Sequence, residues 1–138
     1  IWIDWRDESD FFFVDDNWKT GQLLGIGDNI YRNTEIIEFA ARLSMSEAGN
    51  NNIHIKVEIG NISDRKLYMD DRSRIWFSDY NYKSQIDKYP FEQNYSKSNL
   101  ISNTRDIAVH LSVEQFKRFS WHVDFDEIKK LQDTFIGQ

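Results

Sequence analysis

An α+β fold is predicted by three features of the sequence. Ile53, Ile55, Val57 and Ile59 alternate without exception with His54, Lys56 and Glu58, which is the period of a strand with one buried face. Apolar residues recur at helical spacing in three other stretches, 33–48, 98–119 and 125–136. Clusters of Asn, Asp, Ser and Gly divide the remainder into short strand-like runs. Together they predict a single antiparallel sheet of four to five strands with helices packed on one face. The predicted order is β-α-β-β-β-β-α-α, and one domain over residues 1–138 is expected.

The elements follow in order. Phe11, Phe12, Phe13 and Val14 form an apolar run suited to a buried strand, ended by Asp15, Asp16 and Asn17 as a turn. Gly21, Gly25 and Gly27 read as a loop. A helix is predicted from Asn33 to Ala48, capped by Asn33 or Thr34, with Ile36, Phe39, Ala40 and Leu43 as its buried face. Gly49 and Asn50–Asn52 stop it. Four strands are then expected, over Ile53–Ile59, Lys66–Asp70, Arg74–Tyr80 and Tyr82–Phe91. Pro90, the only proline, belongs at a strand end or on an edge. Two helices close the chain. One covers Ser98–Phe119, with Leu100, Thr104, Ile107, Leu111, Phe116 and Phe119 inward. The other covers Phe125–Ile136, with Phe125, Ile128, Leu131 and Phe135 inward and a capping box from Asp124 to Glu127.

Composition narrows the function classes. Hydrophobic residues are 40% and charged residues 29%, the balance of a globular chain rather than a disordered one. The chain has no cysteine, so disulfides, thiolate metal sites and cysteine nucleophiles are excluded. No apolar run reaches transmembrane length and no signal peptide pattern is visible, so a cytoplasmic protein without a membrane role is expected. The net charge of -6 is uneven: residues 1–50 hold ten acids against four bases. A field of that sign repels nucleic-acid phosphate and favours a basic partner.

Motifs that could carry chemistry have plainer structural readings. His54, His110 and His122 are the only histidines, and no pair has metal-ligand spacing. Asp124, Asp126 and Glu127 resemble a DxD metal motif in pattern, but acids at a helix start are what the helix dipole favours. Gly25 and Gly27 form a GxG without the third glycine or the lysine of a phosphate loop. Lys56 and Glu58 stand in the wrong order for a metal-dependent nuclease. No catalytic residue, metal ligand or cofactor is therefore expected.

Two surfaces remain as candidates. Trp5 and Trp18 lie among Asp7, Glu8, Asp10, Asp15 and Asp16, and residues 1–20 carry six acids against Arg6 and Lys19. Aromatic anchors within an acidic field suit a basic protein partner. The second surface is aromatic and basic: Tyr68, Arg74, Trp76 and Tyr80 could stack and hold single-stranded nucleic acid. Interleaved acids at Asp64, Asp70, Asp71 and Asp79 cancel much of its charge. The leading expectation is a non-enzymatic protein-binding module, of the inhibitor or immunity type, for a basic partner. The alternatives are a nucleic-acid-binding or accessory domain of a larger bacterial assembly, and an enzyme whose site is assembled from scattered residues.

Overall fold

The computed structural model describes residues 23–46, 50–69 and 82–136. In chain order these form β1 (Leu23–Gly25), α1 (Ile26–Ser44), β2 (Asn52–Ile59), β3 (Lys66–Tyr68), β4 (Tyr89–Ser96), α2 (Lys97–Ser102), α3 (Thr104–Lys117) and α4 (Phe125–Ile136). The fold is α+β as the sequence predicts. The single antiparallel sheet is not found: the described residues hold four strands in two sheets. β2 and β4 pair antiparallel, with Ile55 opposite Gln93 and Val57 opposite Phe91. β1 and β3 pair in parallel, with Leu24 opposite Leu67. A parallel pair needs a long crossover, and here α1 and β2 supply it. The guanidinium of the buried Arg65 ties this pair together, donating from Nη1 to the Leu23 carbonyl at 2.8 Å and from Nε to the Asn61 carbonyl at 2.8 Å.

The predicted strand Ile53–Ile59 is found within β2. Ile55 and Ile59 are buried, Ile53 and Val57 are half-buried, and His54, Lys56 and Glu58 are exposed. Its partner lies later than the predicted Tyr82–Phe91. Residues 82–88 form a loop with one bridge from Lys83 to Lys66, and the strand runs from Tyr89. Gln93 and Asn94 weaken its β propensity, but backbone pairing with β2 carries the strand through them. Pro90 is its second residue, on a two-stranded ribbon where the missing amide is tolerated. The Phe11–Val14 and Arg74–Tyr80 runs lie outside the described residues.

α1 departs most from the sequence reading. It starts at Ile26 rather than Asn33, so Gly27 sits in its first turn and Gly25 takes the extended N-cap conformation. Its buried face is Ile26, Ile30, Asn33, Thr34, Ile37, Ala41 and Ser44. Asn33 and Thr34 suit a cap by residue type, yet they lie mid-helix because their side chains are satisfied there. Thr34 Oγ1 donates to the Ile30 carbonyl at 2.8 Å, and Asn33 Nδ2 donates to Ser112 Oγ at 2.9 Å and to Gln115 Oε1 at 2.7 Å. The face expected inward is turned by one residue: Phe39 is 49% exposed and Leu43 55%.

The long helix predicted over Ser98–Phe119 is two. Asn103, at φ -122° and ψ 27°, breaks it into α2 and α3. Ser96 caps α2, its hydroxyl accepting the Asn99 amide at 3.2 Å. Beyond the break, the Thr104 hydroxyl donates to the Leu100 carbonyl at 2.7 Å, and the Asn103 carbonyl accepts the first α3 bond from Ile107. α4 spans the predicted residues, with Ile128 and Leu131 buried as expected, but Phe125, expected inward, is 39% exposed at the helix start. The Asp124 carbonyl accepts the Ile128 amide at 3.3 Å, but among the described residues its carboxylate makes no hydrogen bond. Asp126 and Glu127 lie in the first turn, where the dipole favours acids.

Two apolar clusters form the core. One joins Leu24, Ile30, Leu67, Val109, Phe116, Phe119, Trp121 and Ile128. The other joins Ile37, Ala41, Ile55, Phe91, Leu100, Ile107 and Leu111. A buried polar layer links α1 to α3 and α4. Gln115 Oε1 accepts from Asn29 Nδ2 at 2.9 Å as well as from Asn33, and Gln132 Nε2 donates to Thr34 Oγ1 at 3.1 Å. Asn29 Oδ1 is buried without a hydrogen bond among the described residues.

Candidate functional site

The inward stripe of α1 sits on the core, which leaves two flanks of the helix for other uses. At 100° per residue, Ile36, Phe39, Ala40 and Leu43 gather on one flank. Glu38, Ala41, Arg42 and Met45 gather on the other and line a cleft.

The first flank is apolar. Ile36 and Ala40 pack against the second core cluster, as do Ile53 and Val57 of β2 and Tyr95 of β4, and all of these remain partly open to solvent. Phe39 and Leu43 stand beyond them, about half exposed each. Single exposed apolar residues are ordinary; a run at helical spacing beside further half-buried apolar residues is the pattern of an interaction surface.

The cleft on the second flank has a volume of about 520 Å³. The α2–α3 corner supplies Ile101, Asn103, Thr104, Arg105 and Asp106, and α4 supplies Lys129. Lys129 Nζ sits 2.8 Å from Asp106 Oδ1 and donates to Gln132 Oε1 at 3.3 Å. Gln132 in turn donates to the Arg105 carbonyl at 2.9 Å, so α4 fixes the start of α3. Arg42 approaches Glu38 only to 4.0 Å. Arg105 makes no ion pair among the described residues. The apolar lining is Ala41, Met45 and Ile101, of which Met45 and Ile101 are exposed.

The outward face of the β2–β4 ribbon carries a third group. His54 Nε2 lies 2.7 Å from Glu92 Oε1, and His54 Nδ1 lies 2.7 Å from Asn94 Oδ1. Two oxygens facing two ring nitrogens suit the doubly protonated ring, which can donate to both. The Asn94 hydrogen bond raises the His54 pKa above its usual value, helped by the bond and charge of Glu92 and opposed by desolvation and by Lys56. The added stability is present in full below about pH 6.5, the unfolded value, and is lost as pH rises through the higher folded value. An NMR titration of His54 is expected to show a midpoint above 6.5 that falls in Glu92→Gln. A midpoint unchanged by that substitution rules the ion pair out as a contributor.

The residues predicted for function are placed unevenly. Trp5, Asp7, Glu8, Asp10, Asp15, Asp16 and Trp18 lie outside the described residues, as do Arg74, Trp76 and Tyr80. Tyr68 is half-buried at the end of β3. Among the described residues, no group of three or more His, Cys, Asp or Glu could hold a metal ion. His110 stands edge-on to Phe91, with ring centroids 6.0 Å apart, away from the cleft lining. The cleft residues Arg42, Met45, Ile101, Arg105 and Lys129 were not singled out by sequence reasoning. An excess of apolar positions on α1, more than a single buried stripe uses, signals the flank of Phe39 and Leu43 but not the cleft. Comparison with protein-family models, with curated proteins and with solved structures returns no match.

Proposed function

We propose that this chain is a non-enzymatic protein-binding module, acting as an inhibitor or immunity-type protein on a basic partner. The observation that carries the reading is the outward flank of α1. Phe39 and Leu43 stand half exposed beside Ile36 and Ala40, on a helix held by the core along its other side. A rigid helix bearing apolar anchors is a recurrent way to seat a partner, because the anchors desolvate while the helix loses little further entropy. Charged neighbours at Arg32 and Glu35 border the flank with side chains that can remain solvated at a rim. The sign of the partner rests on charge. The net charge is -6, and six acids lie in the first twenty positions. Such a field speeds association with a basic protein and does so less as salt rises. No described helix is long and apolar enough to cross a membrane, so no part of the proposal involves a membrane span.

The test begins with the partner isolated from the native host, followed by binding kinetics on purified chains. Phe39→Asp with Leu43→Asp is expected to weaken binding at least tenfold, mainly through faster dissociation, because anchors act after encounter. Neutralising Asp7, Glu8 and Asp10 is expected to slow association and flatten its salt dependence. A purified partner that binds the Phe39, Leu43 double variant as it binds the parent chain removes the α1 flank from the interface.

A further inference from the structure

We propose that the cleft between α1, the α2–α3 corner and α4 binds an acidic, partly aliphatic peptide segment of a partner protein. This site lies on the opposite flank of α1 from the apolar face and stands independently of it. The chemistry of the lining decides the ligand. Of its three bases, Lys129 is committed to Asp106 at 2.8 Å. Arg42 meets Glu38 only at 4.0 Å with 78% of its side chain exposed, and Arg105 makes no ion pair among the described residues. Two guanidiniums on different helices are thus open to a carboxylate, which each can grip with paired donors.

Position favours the same ligand. The backbone of Arg105 is fixed by the bond from Gln132 Nε2 to its carbonyl at 2.9 Å, so its head group starts from a rigid base. The apolar part of the lining is Ala41, Met45 and Ile101, which offers nothing to a second charge and suits an aliphatic group. A volume of about 520 Å³ takes a few side chains rather than a folded domain. A peptide that carries carboxylates beside an aliphatic residue complements the arginines and the apolar lining together. A basic peptide meets an uncompensated Arg105 instead, and of the two acids in the lining Asp106 is already paired with Lys129 at 2.8 Å.

The probe is a labelled peptide of alternating Glu and Leu, read by fluorescence anisotropy against the purified chain, with a Lys and Leu peptide as its counterpart. The Glu–Leu peptide is expected to bind with an affinity that falls as salt rises, and more tightly than its counterpart. Arg105→Glu is expected to weaken it about tenfold or more, the loss of a charge-assisted pair. Arg105→Lys keeps the charge without the fork and is expected to fall between the two. Phe39→Asp, on the other flank, is expected to leave peptide binding unchanged, so this proposal and the apolar-face reading fail separately. The proposal is overturned if the parent chain does not bind the Glu–Leu peptide, or binds the Lys–Leu peptide equally well. It is also overturned if Arg105→Glu, shown to be folded by circular dichroism, binds without loss.

Discussion

Ile55→Asp is expected to abolish cooperative unfolding at ordinary temperature, whereas Lys56→Asp is expected to melt close to the parent chain. The two positions are adjacent, but their side chains leave β2 on opposite faces. Ile55 is 6% exposed and belongs to the cluster of Ile37, Phe91, Leu100 and Leu111. A carboxylate there has no cation in that cluster, and burying it costs several kcal/mol, comparable with the whole stability of a small domain. Lys56 is exposed opposite Glu92, so an acid in its place adds a like-charge pair costing under about 1 kcal/mol. Thermal melts followed by circular dichroism decide the matter. Equal melting temperatures mean that β2 does not present Ile55 to the core.

Gln115→Leu is expected to destabilise the chain by about 3 kcal/mol, although it adds an apolar side chain to an interior position. The Gln115 side chain is 2% exposed, and its Oε1 accepts from both Asn29 and Asn33. Asn33 keeps Ser112 Oγ as an acceptor at 2.9 Å. Asn29 keeps nothing among the described residues, because its Oδ1 is already without a partner. The substitution therefore strands an entire buried amide. Chemical denaturation measures the loss. The double variant Asn29→Leu, Gln115→Leu is expected to recover part of it, since removing both ends of a buried polar pair is cheaper than removing one. A single variant as stable as the parent shows that the polar layer does not hold the helices together.

These two residues mark where the sequence was legible. β2 could be read because its signal is local: a strict two-residue alternation needs no knowledge of the partner strand. α4 could be read for the same reason, since Ile128 and Leu131 repeat at helical spacing within a short window and both are buried. α1 could not. Its inward stripe includes Asn29, Asn33 and Thr34, polar residues that a periodicity count assigns to a surface or a cap. Their partners at Ser112, Gln115 and Gln132 are 79 to 98 positions away in the chain. The break at Asn103 was hidden by apolar spacing that continues through it. The cleft was hidden because no single element contains it: Arg42, Arg105 and Lys129 come together only when three helices are in place.

The parallel pairing of β1 with β3 bears on the order in which the chain folds. α2, α3 and α4 are consecutive, so their contacts join residues close in sequence and form at small entropic cost. The bond from Arg65 to the Leu23 carbonyl instead closes a loop of 42 residues. Closing a loop of that length costs on the order of 3 kcal/mol of chain entropy before any contact within it offsets the loss. β1 is therefore expected to dock late, with φ-values near zero at Leu23 and Leu24 and higher ones in α3 and α4 when refolding kinetics are measured. Interactions made by that late strand govern how slowly the native state opens rather than how quickly it forms.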